Sequence, residues 1–112
     1  VPHSGPFARG IHATIFATQK GHLNQEQINE ALTEYYRGSP FVGVETTPPR
    51  VKDIVASNYA ALNATVRGDT IVVCSVLDNL VKGAAGGSIQ WANRLLGLAE
   101  TAGLTAAAAG WL

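Results

Sequence analysis

Residues 78–87 read Asp78-Asn79-Leu80-Val81-Lys82-Gly83-Ala84-Ala85-Gly86-Gly87. These types suit one kind of chemistry, a helix N-terminus that receives an anion or a flat ligand. The first turn of a helix offers free N–H groups and a positive dipole end. Lys82 adds a charge there, and glycine leaves the backbone bare for close approach. A helix interior disfavours glycine by about 1 kcal/mol relative to alanine, so three glycines in the opening turns need a reason. Tight docking of the helix on a neighbouring domain needs bare backbone just as a ligand does, and the two readings are compatible. Asp78 or Asn79 can also serve simply as the N-cap. The run is neither a P-loop nor a G-x-G-x-x-G fingerprint, because the strand–Gly–Lys–Ser/Thr order and a later acidic residue are both missing.

Other candidates are weaker. Arg9 stands in Pro6-Phe7-Ala8-Arg9-Gly10, just before a strand. A planar fork of donors beside glycine suits a carboxylate or a phosphate, but a surface arginine at a strand start is the plainer reading. His3, His12 and His22 follow no metal-ligand spacing. Cys74 lies within the apolar run TIVVCSV, where a thiol behaves as a small hydrophobe. A catalytic thiol is expected at a helix N-terminus or beside a base.

The elements that must position these residues can be read from periodicity. Residues 11–18, IHATIFAT, alternate with period 2 and predict a strand. Asn24 and Gln27 stand at capping-box spacing, and Ile28, Ala31, Leu32 and Tyr35 form a helical stripe after them. Gly38 and Pro40 end that helix. Residues 41–45 predict a short strand, Thr47-Pro48-Pro49 a break, and residues 51–55 an extended exposed stretch. Residues 59–66 alternate loosely, and Arg67-Gly68-Asp69 predicts a tight turn. Residues 70–76, apolar almost throughout, predict a central strand covered on both faces. The last helix is expected over 80–98, with Leu80, Ala84, Trp91, Leu95 and Leu98 as its apolar band. The tail TAAAAGWL gives no signal. The order is strand, helix, strand, loop, strand, strand, helix. It predicts an α+β fold, a mixed or antiparallel sheet with one packed helix and a C-terminal helix free to pack elsewhere.

The chain has 112 residues, one domain's worth, with 46% hydrophobic and 14% charged residues and a formal net charge of zero. That composition is globular, and without a basic excess it argues against nucleic acid as partner. No apolar run approaches the roughly 18 residues of a membrane span, and no secretory signal opens the chain. The single cysteine fits a reducing compartment. The absence of Met and the opening Val1-Pro2-His3 look like the interior of a longer protein.

Several runs together resemble the C-terminal part of N-acetyl-γ-glutamyl-phosphate reductase. They are Val1-Pro2-His3, Pro6-Phe7-Ala8-Arg9-Gly10-Ile11, Tyr35-Tyr36, Ser57-Asn58-Tyr59 and, above all, Asp78-Asn79-Leu80-Val81-Lys82-Gly83-Ala84-Ala85-Gly86 with Gln90 and Asn93, then Gly97 to Leu104. The pattern is similar in the aminoadipyl-phosphate reductase of lysine biosynthesis and, more distantly, in aspartate-semialdehyde dehydrogenase. The resemblance implies a cytoplasmic, NADP-dependent reduction of an acyl phosphate to a semialdehyde in arginine biosynthesis. It implies a catalytic cysteine and histidine that match no residue here, so the segment alone is expected to be inactive. Residues 1–78 would be part of the substrate and dimerisation domain. Residues 79–112 would return to a Rossmann cofactor domain, supplied by the N-terminal part or by a companion chain. Asn79, Lys82 and Gly83 would face the cofactor. Arg9 and His3 would face the substrate. The sheet would pair two copies. The alternatives are a freestanding, non-catalytic dimerisation or binding module derived from that domain, and the corresponding part of an aminoadipyl-phosphate reductase.

Overall fold

A computed structural model describes residues 1–110. Its centre is a five-stranded mixed sheet with strands β1 (Pro2–His3), β2 (Ile11–Thr18), β3 (Val42–Val44), β4 (Ala60–Arg67) and β5 (Thr70–Leu77). The spatial order is β1-β2-β5-β4-β3. Only β3 and β4 run parallel; the other neighbours are antiparallel. The α+β expectation holds, with β5 in the middle. The β4–β5 hairpin turns on two residues, Gly68 and Asp69, and Gly68 takes φ 56°. A positive φ at the first turn residue matches the strand twist, and glycine adopts it without strain.

Helix α1 (Gln25–Tyr36) starts as its sequence predicts. The Asn24 side chain accepts from Gln27 N at 2.9 Å, and Gln27 Oε1 accepts from Asn24 N at 2.9 Å. Its buried stripe is shifted from the expected one. Ile28 is buried and Leu32 and Tyr36 half-buried, whereas Ala31 and Tyr35 stand in solvent. Gln25 ties the helix to the sheet, donating to Ala64 O at 2.8 Å and accepting from Val66 N at 2.9 Å. The helix therefore covers β3 and β4 on the face that carries Val42, Val44, Leu62 and Ala64.

The opposite face is covered by residues expected to be extended. Val51–Asp53 is a 3-10 turn, and Ile54 and Val55 behind it are buried, not exposed. Two prolines start the segment, but its apolar pair has a sheet to cover, and burial decides its shape. Ile54 packs with Ala61 and Val76, flanked by Val51 and Tyr59. Phe41, almost fully buried, meets the Tyr59 ring edge-on at 5.3 Å. The tail returns to this layer, as Ala109 N donates to Val55 O at 3.1 Å and Leu104 is buried. Residues 111–112 of that tail lie outside the described residues.

Two further expectations are corrected. β5 is central but not covered on both faces, since most of its residues are only half-buried and its β2 neighbours Ile11, Ile15 and Phe16 are exposed. The helix expected over 80–98 is two pieces, a π-helical turn Val81–Ala85 and helix α2 (Gly86–Leu95). Its band of Leu80, Trp91, Leu95 and Leu98 is exposed, so nothing in the described chain covers it.

Candidate functional site

Strand β5 ends at Leu77, and Asp78 follows, fully buried. Its carboxylate holds five donors. Oδ2 accepts from Arg9 Nε and from Ala56 N, each at 2.7 Å. Oδ1 accepts from Arg9 Nη2 at 2.9 Å, Leu80 N at 2.9 Å and Val81 N at 2.7 Å. Burial pushes this carboxyl up. The Arg9 hydrogen bonds and the N–H groups of Ala56, Val81 and Leu80 outweigh it and hold the pKa well below the usual carboxylate range. Asp78 is thus the cap of the π-turn, and Asn79 is not.

Asn79 points the other way. Its Oδ1 accepts from Gly10 N at 2.7 Å, and its Nδ2 donates to none of the described residues. Gly10 takes φ 113°, and a Cβ there would collide with Val51 Cγ1. Only glycine lets the Arg9–Gly10 corner come this close to the end of β5. The Arg9 fork therefore faces Asp78, leaving Nη1 as the guanidinium nitrogen without a partner among the described residues.

Lys82 does not project a free charge from the helix opening. Its Nζ donates to Gln90 Oε1 at 2.7 Å and lies 5.3 Å from the centre of the Phe41 ring. Burial lowers its pKa, and Glu100 works against that shift. Gln90 also accepts from Asn58 Nδ2 at 3.1 Å and donates to Glu100 Oε1 at 2.6 Å. Asn93 fastens the following chain, donating to the carbonyls of Glu100 and Ala102. A cavity of about 250 Å³ opens along this side of the helix, between Lys82, Gly87, Gln90, Trp91 and Arg94.

The glycines divide into two kinds. In a π-turn the N–H bonds to the carbonyl five residues back and the backbone is wider. A Cβ on Gly86 would collide with Asn58 Oδ1 and lie 2.7 Å from Val81 Cγ1; one on Gly87 would lie 2.7 Å from Lys82 O. These two are required by the chain's own packing. Gly83 is different, since its Cβ would meet Leu77 Cδ1 and Asp78 O at ordinary distances of 3.4 and 3.5 Å.

The structure brings Arg9, Asn79, Lys82 and Gly83 to one end of β5. His3 is not among them. It lies on the edge strand β1, with its ring centroid 4.8 Å from that of His12 and its Nε2 2.8 Å from Thr14 Oγ1. No group of three metal-ligating side chains occurs among the described residues. Sequence reasoning gave Asp78 no role beyond a cap, and it missed Asn58, Gln90 and Glu100 as a network. Their partners are remote in sequence, and only the resemblance to known runs had marked Asn58, Gln90 and Glu100.

Comparison with known proteins gives this geometry a family. Residues 1–79 match the model of the semialdehyde dehydrogenase dimerisation domain. The chain is 45% identical over 107 residues to N-acetyl-gamma-glutamyl-phosphate reductase of Symbiobacterium thermophilum, covering 92% of this chain and 31% of that protein. It is 47% identical over 102 residues to N-acetyl-gamma-glutamyl-phosphate reductase 2 of Lactiplantibacillus plantarum, covering 88% and 30%. The chain thus spans about a third of the length of these relatives. Among solved structures, aspartate semialdehyde dehydrogenase II from Vibrio cholerae shares the fold, with a TM-score of 0.62 at 19% identity over 79% of this chain and 27% of that one.

Proposed function

The chain belongs to the semialdehyde dehydrogenase dimerisation-domain family, and on that premise we propose that it is the C-terminal portion of an NADP-dependent, cytoplasmic reductase. The reaction is reduction of N-acetyl-glutamyl phosphate to its semialdehyde, a step of arginine biosynthesis. One observation carries this reading. Similarity to the reductases covers 92% of the chain, so it runs past the family model's limit at residue 79 and through the helix opening. The rest of such a protein supplies the nucleophile and the dinucleotide fold. Cys74, half-buried in mid-strand with Thr14 Oγ1 at 4.0 Å as its neighbour, is left a structural thiol.

NADPH supplies the hydride when bound. The residues here fit a role beside it. Asn79 has its oxygen fixed by Gly10, which turns the amide nitrogen into a pre-oriented donor for a carboxamide oxygen. Gly83 leaves backbone bare where internal packing does not demand it. Lys82 contributes backbone and position, since its ammonium is engaged by Gln90. Arg9 has Nη1 left for the anionic end of the substrate, and His3 stands on the same sheet as a more remote candidate for that substrate. Residues 79–112 pack toward the cofactor domain, and the exposed band of Leu80, Trp91, Leu95 and Leu98 is the surface they use.

Position 79 provides the test, in a complete reductase carrying this segment. Loss of one hydrogen bond of about 1 kcal/mol raises the NADPH KM of Asn79→Ala roughly fivefold, and Asn79→Ser does not rescue it because capping belongs to Asp78. An unchanged NADPH KM in Asn79→Ala refutes the cofactor role.

The sheet carries the second part of the proposal, pairing of two copies. Ile11 and Ile15 are 40% and 50% exposed beside the half-buried Ile71 and Val73 on one face of β2 and β5. The other face sets exposed Phe16 beside its register partner Val72, with Thr14, Thr18, Thr65 and Arg67 around the pair. Contiguous apolar surface seldom stays bare, so the isoleucine face is the paired one. Sedimentation is expected to show a dimer at micromolar concentration, abolished by Ile15→Lys and kept in Phe16→Lys. A monomer at high micromolar concentration counts against pairing.

A further inference from the structure

We propose that Asp78 is a positioning residue for the cofactor-facing opening, setting Asn79 and the Lys82–Gly83 backbone against the Arg9–Gly10 corner. The proposal rests on the reading of that opening as the surface beside NADPH. An N-cap needs one acceptor for the first free N–H groups, and Asp78 meets that need with Oδ1 alone, which takes Leu80 N and Val81 N. Oδ2 lies outside any capping role. It reaches Arg9 and Ala56, 69 and 22 residues away in sequence.

The bond to Ala56 is informative because Ala56 takes φ 64°, the one non-glycine residue with positive φ among those described. Side-chain sterics disfavour that conformation, and it persists only where surroundings over-determine it. Here the Asp78 carboxylate holds its N–H at 2.7 Å. The turn so fixed delivers Asn58, whose Nδ2 reaches Gln90, which in turn receives the Lys82 ammonium. Asn79 is covalently next to Asp78, and its oxygen is bonded to Gly10, next to Arg9. Both flanks of the opening are thereby referred to one buried carboxylate. Nothing else in the described residues connects the three segments in this way.

The test uses a complete reductase that contains this segment. Asp78→Ser keeps a good capping oxygen but loses the Arg9 and Ala56 bonds, whereas Asp78→Asn keeps the shape and loses the charge. KM for NADPH and for the acyl phosphate are measured separately, well below each variant's melting temperature. Misplacing a group at the reacting end weakens cofactor use by roughly tenfold or more, so both variants are expected to raise NADPH KM by about that factor; substrate KM rises with it, because Arg9, whose Nη1 faces the substrate, loses its anchor. Should either variant fail to fold, Arg9→Lys keeps the cation and breaks the fork, and NADPH KM is expected to rise about threefold. NADPH KM unchanged in the folded variants overturns the proposal, and so does a shift confined to substrate KM. Asn79→Ala separates the two levels. If it raises NADPH KM while the Asp78 and Arg9 variants do not, only the positioning role fails; if none of them moves it, the cofactor reading fails as well.

Discussion

Gly86→Val is expected to lower the melting temperature of the 112-residue chain sharply, while Gly83→Ala, three residues earlier in the same opening, leaves it unchanged or raises it. The space at the two positions differs. A side chain on Gly86 meets Asn58 Oδ1, Val81 Cγ1 and Val81 O together. Asn58 is 1% exposed and bonded to Gln90, so it has nowhere to retreat. Overpacking of this kind costs about 1–3 kcal/mol, which for a domain of this size is on the order of 5–15 °C. A methyl on Gly83 makes ordinary contacts, and alanine in place of glycine favours helix by up to about 1 kcal/mol. Thermal denaturation of both variants is the measurement. Equal losses at both positions would mean that the π-turn backbone, and not the wall formed by Asn58, sets the need for glycine. In a complete reductase, Gly83→Ala that keeps stability but weakens NADPH would then locate the ligand's reason for a bare position.

The difference between those glycines was not legible in the sequence. Both stand in one run of small residues, and the run reads equally as ligand approach or as close packing. What separates them is Asn58, brought over by a turn 28 residues earlier in the chain. Elements with strong local signals emerged well: the alternation of β2, the capping box of α1, the Gly68 turn and the apolar β5 all rest on neighbours in sequence. Residues 51–55 failed because their shape is set by Ala61 and Val76 beneath them, which outweighs a proline-led extended signal. Tyr35 and Tyr36 were exchanged because the sheet picks the buried face by a small rotation that periodicity cannot fix. The site followed the same rule. Arg9 was recognisable as a fork for a carboxylate, but the carboxylate turned out to be Asp78, 69 residues on. Asp78 looked like a cap because half of what it does is capping, and the other half needs partners no window contains.

Asp78→Ala is expected to produce the largest loss of stability in the chain, and the loss should shrink in acid. The substitution leaves the N–H groups of Ala56, Leu80 and Val81 without their acceptor and removes the partner of Arg9. Arg9 is only half-buried and can turn to water, so the loss comes mainly from the N–H groups left without a partner, about 1–3 kcal/mol each where buried, a large part of the roughly 5–15 kcal/mol that holds a domain together. The pH dependence follows from the direction of the shift. In the folded chain the carboxyl titrates well below its ordinary value despite its burial, so the unfolded chain binds this proton first. The charge-dependent part of its contribution is therefore fully present above the unfolded pKa of about 3.9 and is lost progressively as pH falls through the folded value. Urea unfolding at pH 7, 5 and 3 is the measurement. The gap between wild type and Asp78→Ala should be equal at pH 7 and 5 and smaller at pH 3. Asp53, also lowered by its Arg50 partner, is common to both proteins and cancels in the difference. A gap that stays constant down to pH 3 would show that Asp78 stabilises the opening by shape and not by its charge.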